Sequence, residues 1–147
     1  MFPLRDENPT LGASVVTFII IGLNALAWIF VQGLGSDYSL ASSICHYGLV
    51  PGELLGKVAP GTKVSLGGGL ACVLAPGTSE WSVISHMFMH GGWFHIIGNM
   101  WFLALFGDNV EDALGSLRFI LFYLLCGVAA AALQVVTDPG SVVPMVG

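Results

Sequence analysis

His90, His95 and Asn99 lie in the run His90-Gly-Gly-Trp-Phe-His95-Ile-Ile-Gly-Asn99, inside an otherwise apolar stretch that reaches Gly107. Imidazoles and carboxamides are costly at membrane depth. They normally face a bundle interior or a wet cavity, and there they mark function. His95 and Asn99 are four residues apart, which puts them on one face of a helix. Each can present an N–H donor to the same point in low-dielectric surroundings. Two converging donors make an oxyanion hole, the device that stabilises the tetrahedral intermediate of acyl transfer. Acyl transfer in turn requires a nucleophile.

Other chemistries fit less well. His86 and His90 are also spaced i, i+4, which suits two metal ligands on a helix. The metalloprotease form needs His-Glu-x-x-His, whereas Met87, Phe88 and Met89 intervene here. Cys72 is the only other good donor in this region, and neither other apolar span has a His to complete a bis-histidine haem. The sequence therefore implies no cofactor and no metal. His86 alone reads as an interfacial histidine bonded to loop carbonyls. No serine sits in a Gly-x-Ser-Gly context: Ser141 follows Pro139-Gly140 and reads as turn chemistry. Cys126 lies in an apolar run with no electropositive neighbour to activate it. Asp108, Glu111 and Asp112 could do acid–base work. They read better as a helix end and a short interfacial loop, with Glu111 capping or pairing with Arg118.

The elements that must position these residues follow from hydropathy. The chain has 147 residues, 55% hydrophobic and only 9% charged, with a net charge of −5. Its mean hydropathy is +0.84, and its charged share lies far below the roughly 25% of soluble domains. Nucleic-acid binding needs clustered Lys and Arg, and there are four in all: Arg5, Lys57, Lys63 and Arg118. The same scarcity disfavours a membrane surface held by charge, which leaves integral insertion. Three spans are predicted, over 13–31, 88–106 and 117–136, each near the ~20 residues a bilayer core requires. Pro9 and Thr10 suit the start of the first. Asn24 within it reads as an interhelical hydrogen bond, and the small residues from Gly127 to Ala132 as a site of close helix approach.

Residues 32–85 form a long Gly- and Pro-rich connection, with short helical pieces around Leu40–Leu55 broken at Pro51 and an interfacial anchor at Trp81. Cys45 and Cys72 share it and could pair if it faces an oxidising compartment, a point the sequence leaves open. The N-terminus lacks a basic region and a cleavage site, so a cleaved signal peptide is not expected. Counting Lys and Arg in short loops puts the N-terminus and residues 107–116 inside and the long loop outside.

The segment His86-Met-Phe-Met-His90-Gly-Gly-Trp-Phe-His95-Ile-Ile-Gly-Asn99, followed by Gly107-Asp-Asn-Val-Glu-Asp-Ala-Leu-Gly115, resembles the rhomboid intramembrane serine proteases. Pro-Leu-Arg-Asp-Glu-Asn-Pro-Thr before the first span and Tyr-Gly-Leu-Val-Pro-Gly-Glu-Leu-Leu in the long loop are similar to bacterial members. The resemblance implies an all-α membrane protein, a helical transmembrane bundle of which this chain supplies three of six core spans. It implies oxyanion stabilisation by His95 and Asn99, a supporting role for His90, a loop histidine at His86, and Glu111 tying the inner turn together. It also implies a Ser nucleophile in a fourth span and a His base in a sixth. Trp81-Ser82 departs from the Trp-Arg many members carry. The tail to Gly147 looks like the run-up to the nucleophile motif, with Gly147 as its first glycine. The expected protein is a protease of transmembrane substrates in a bacterial inner membrane, N-terminus cytoplasmic, with this chain inactive without its C-terminal spans. The alternative is a non-catalytic member that binds transmembrane clients.

Overall fold

A computed structural model describes residues 12–74 and 80–147. The helix start expected at Pro9 and Thr10 lies outside the described residues. The first apolar run forms α1 (Val15–Leu26), extended by a π turn over Ala27–Val31. The last forms α6 (Ser116–Thr137), within one residue of the expected span. Between them runs α5 (Trp93–Leu114). Among the described residues, α6 alone is both long and apolar enough to cross a membrane, while α1 with its π turn is a shorter apolar helix. α5 matches α6 in length at 22 residues, about 33 Å of helix, but His95, Asn99 and its acidic end dilute its hydropathy.

That acidic end corrects the sequence reading. The helix does not stop at Gly107 to make a loop over 107–116. It continues to Leu114, and Gly115 alone turns the chain into α6. Gly107 is a packing residue: a Cβ there would come within 2.9 Å of Thr17 Cγ2 on α1. Glu111 lies one turn further on, under the start of α1. Its carboxylate accepts from the Val16 and Thr17 amides at 3.0 and 2.8 Å, and from the Thr17 and Ser116 hydroxyls at 2.9 and 2.7 Å. The first amides of a helix have no partner within it, and a carboxylate there also suits the helix dipole. Glu111 thus does this capping from α5, and its bonds go to α1 and Ser116 rather than to Arg118.

Asn24 donates from its amide nitrogen to the Ile20 carbonyl one turn back at 2.8 Å, and its side chain also bonds Tyr123 on α6, the interhelical contact expected of it. One other expectation is corrected. Gly127 on α6 receives the Met87 side chain rather than another long helix.

The long connection is ordered. α2 (Asp37–Tyr47) is followed by α3 (Pro51–Leu54), where Pro51 begins a helix instead of breaking one; its missing N–H costs nothing at that position. A hairpin follows, β1 (Lys63–Gly67) antiparallel to β2 (Leu70–Val73), so the all-α expectation fails here. Gly68 and Gly69 turn it with φ of +58° and +79°, the left-handed pair that tight hairpin turns favour. One-turn α4 (Ser82–Ser85) and a 3-10 turn over His86–Phe88 return the chain to α5. A disulfide joins Cys45 on α2 to Cys72 on β2, Cα atoms 5.4 Å apart.

Two small cores result. Val16, Ile20 and Phe119 pack between α1 and α6, joined by Leu103, Val110 and Tyr123. Val50, Cys72 and Leu74 pack within the connection, joined by residues that include Cys45 and Val142 of the tail. Outside them, large apolar side chains face outward along the long helices, among them Phe18, Phe94, Phe102, Leu125 and Leu133. A belt of that extent suits acyl chains or further helices, not water.

Candidate functional site

α5 starts two residues after Gly91, and its first two turns carry His95 and Asn99 on one face, as their spacing predicts. His90 precedes the helix, buried at 1% exposure. The His90 and His95 rings meet edge to face with centroids 5.3 Å apart. The structure therefore brings all three sequence-derived candidates together.

The loop between them is pinned by a residue that the sequence reading passed over. Gln32, fully buried at the end of the first apolar run, accepts from the His90 amide through Oε1 at 2.9 Å. Its Nε2 donates to the His90 carbonyl at 2.7 Å. The signal was present: Asn24, Trp28 and Gln32 recur every four residues and all three are buried. Trp28 packs edge to face on Trp93 at 5.2 Å, which ties the same stretch to the start of α5.

With the loop held, the Gly91 amide donates to His95 Nδ1 at 3.2 Å. In a neutral imidazole, an acceptor at Nδ1 puts the proton on Nε2. That nitrogen points to the tail. A Cβ built on Gly147 would lie 2.7 Å from His95 Nε2 and 3.2 Å from Asn99 Nδ2. The two donors thus converge on one point, and the backbone that approaches it has φ +77° at Gly147, where a side chain would be both strained and obstructed.

The tail is seated from the other side. Gly147 donates its amide to the His86 carbonyl at 2.8 Å, and Leu49 and Met145 exchange two backbone bonds at 3.0 and 2.8 Å. His86 itself donates from Nδ1 to the Ser82 carbonyl at 2.9 Å. Burial pulls its imidazole below the usual value against the hydrogen bonds to Ser82 and Val83, so it is neutral at pH 7. A cavity of about 250 Å³ adjoins the pair, lined by Met87, His90, Asn99, Leu103, Tyr123 and Gly147. Among the described residues, no group of three or more His, Cys, Asp or Glu side chains is arranged to hold a metal ion. Asp108 and Asp112 lie near the far end of α5, away from this pocket.

Residues 78–147 match the family model described as the Rhomboid domain. Similar curated proteins include RHOMBOID-like protein 6, mitochondrial, of Arabidopsis thaliana, 33% identical over 58 residues. That alignment covers 40% of this chain and 19% of the relative. RHOMBOID-like protein 5 of the same plant is 30% identical over 59 residues, again 40% of this chain and 19% of the relative. The matched segment thus spans about a fifth of either relative. No solved structure matches the chain.

Proposed function

Because this chain belongs to the rhomboid family and is a membrane protein by that membership, we propose that it is the N-terminal part of an intramembrane serine protease. The complete enzyme would cut peptide bonds in or near the transmembrane helices of its substrates. The observation that carries this reading is the convergence of His95 Nε2 and Asn99 Nδ2 on one point beside Gly147.

In the complete protein, sequence beyond residue 147 would supply a serine nucleophile and a histidine base. As the serine oxygen adds to the scissile carbonyl, negative charge gathers on the carbonyl oxygen. His95 and Asn99 would donate to that oxygen, and their value is greatest in the transition state, where the charge develops. The Gly91 amide keeps the His95 proton on the side it is needed. Gln32 keeps Gly91 in place through His90, so His90 acts as a positioning residue. The small cavity beside the pair would hold part of the substrate chain.

α1, α5 and α6 are the three spans of this arrangement, with the C-terminal spans of the same protein covering part of the outward apolar faces and lipid the rest. The disulfide supports a long loop on the oxidising side and hence a cytoplasmic N-terminus. Our proposed setting is a bacterial inner membrane.

The test uses the full-length protein in liposomes with a substrate carrying a single transmembrane helix. We expect cleavage in or near that helix, abolished by a serine-directed phosphonate. Capture of the helix without cleavage would replace the protease reading with that of a non-catalytic client-binding member.

A further inference from the structure

We propose that the Cys45–Cys72 disulfide is a redox latch: closed, it holds the loop that seats residues 141–147 on the His95–Asn99 pair, and a dithiol opens it by attack at Cys45. Its consequence for cleavage rests on the protease reading above; the latch itself stands on geometry.

The tail is held from the cross-linked segment. The Gly52 amide donates to the Ser141 carbonyl at 2.9 Å. Val142 packs against the cluster of Val50, Cys72 and Leu74. Leu49, four residues after Cys45, makes the paired backbone bonds to Met145. Gly48 fits so closely that a Cβ there would meet Pro144 at 3.1 Å. These contacts belong to the stretch just after Cys45 or to the cluster that contains Cys72. They end two residues before Gly147, whose backbone faces the two donors. A two-stranded hairpin is marginal by itself, so its hold on α2 depends on the cross-link and one small apolar cluster. Release at Cys72 would loosen the seat of the tail without touching His95 or Asn99.

The two sulfurs are unequal. A cavity of about 500 Å³, lined in part by Tyr38, Ser42, His46 and Glu53, opens onto Cys45, whereas Cys72 is 1% exposed. An incoming thiolate therefore attacks the Cys45 sulfur. The S–S bond breaks, a mixed disulfide forms at Cys45, and the Cys72 thiolate leaves and takes up a proton. The second thiolate of the dithiol then attacks its own sulfur in the mixed disulfide and frees Cys45, which is protonated in turn. The dithiol ends as a disulfide, and the protein gains two electrons and two protons. A monothiol leaves a mixed disulfide that a second monothiol molecule must resolve in a bimolecular step, while the Cys72 thiolate attacks back within the protein and restores the bond. The latch thus answers to dithiols.

The test is amide exchange in the full-length protein in detergent micelles, with Cys126→Ser to remove the remaining described thiol. In the oxidised protein the amides of Leu49, Met145 and Gly147 should be protected. Dithiothreitol should speed exchange across 45–52 and 141–147 by at least about tenfold, a monothiol at equal concentration should do so far less, and reoxidation should restore protection. Cys45→Ser/Cys72→Ser should exchange fast without reductant; if that variant fails to fold, the wild-type titration decides alone. Complete reduction by mass with exchange at 141–147 unchanged would overturn the latch. Cleavage should slow in parallel with opening. A protein that opens on reduction but cleaves nothing in either state keeps the latch and removes the protease reading.

Discussion

Gln32 shows how a residue without chemistry of its own can govern the site. Its carboxamide meets both backbone groups of His90 and is wholly buried. Gln32→Ala would leave a buried N–H and a buried C=O unpaired, each worth about 1–3 kcal/mol. We expect the full-length protein to lose about 2–6 kcal/mol of stability on that basis, measured by denaturant titration in micelles. A loss under half a kcal/mol would mean that water replaces the carboxamide and that the His90 loop holds itself. At this scale much was legible. His90, His95 and Asn99 are conspicuous because their side chains are expensive where they stand, and four-residue spacing fixed which two share a face. Gln32 escaped because a glutamine at the end of an apolar run also suits a water boundary. Only burial distinguishes the two cases.

Glu111 carries the argument at the scale of elements, since it fastens α5 to the start of α1. Its carboxylate takes the Val16 and Thr17 amides and the Thr17 and Ser116 hydroxyls at once. Glu111→Gln keeps part of the bonding and removes the charge. We expect it to cost about 1–3 kcal/mol, measured by denaturant titration of the full-length protein in micelles. A variant as stable as wild type would show that the carboxylate charge contributes nothing to the cap.

Elements were unequally legible. α6 is an unbroken apolar run with polar ends, and its bounds follow from hydropathy. The end of α5 is hidden in the sequence because Gly107 and the acidic residues after it look like a terminus. In fact the glycine accommodates Thr17 and Glu111 serves a different helix. The hairpin at Lys63–Val73 was hidden because its glycines read as loop punctuation. Two of them are what the turn requires.

In the whole molecule, the apolar belt of the long helices and the cross-linked connection divide the work. The belt faces outward and offers little internal core, so the connection must be ordered by other means. Its disulfide closes a separation of 27 residues, worth about 3.5 kcal/mol by chain entropy. That pairing was left open by the sequence because it depends on α2 and β2 meeting, which no local pattern reports. The bundle sets out His95 and Asn99, and the connection brings the tail to them. Neither half makes the pocket by itself, which is why the site spans from Gln32 to Gly147.

The central claim, that His95 and Asn99 donate together to a developing oxyanion, is tested most directly by steady-state kinetics. The full-length protein would be assayed on a transmembrane substrate with His95→Ala, Asn99→Ala and the double variant, each confirmed folded by its melting profile. Loss of one such donor elsewhere costs roughly 10²–10³ in kcat. We predict a fall of that order for each single variant, KM within a few-fold of wild type, and a double variant short of the product of the two, as for groups that act as a unit. Folded variants that cleave with unchanged kcat would contradict the account.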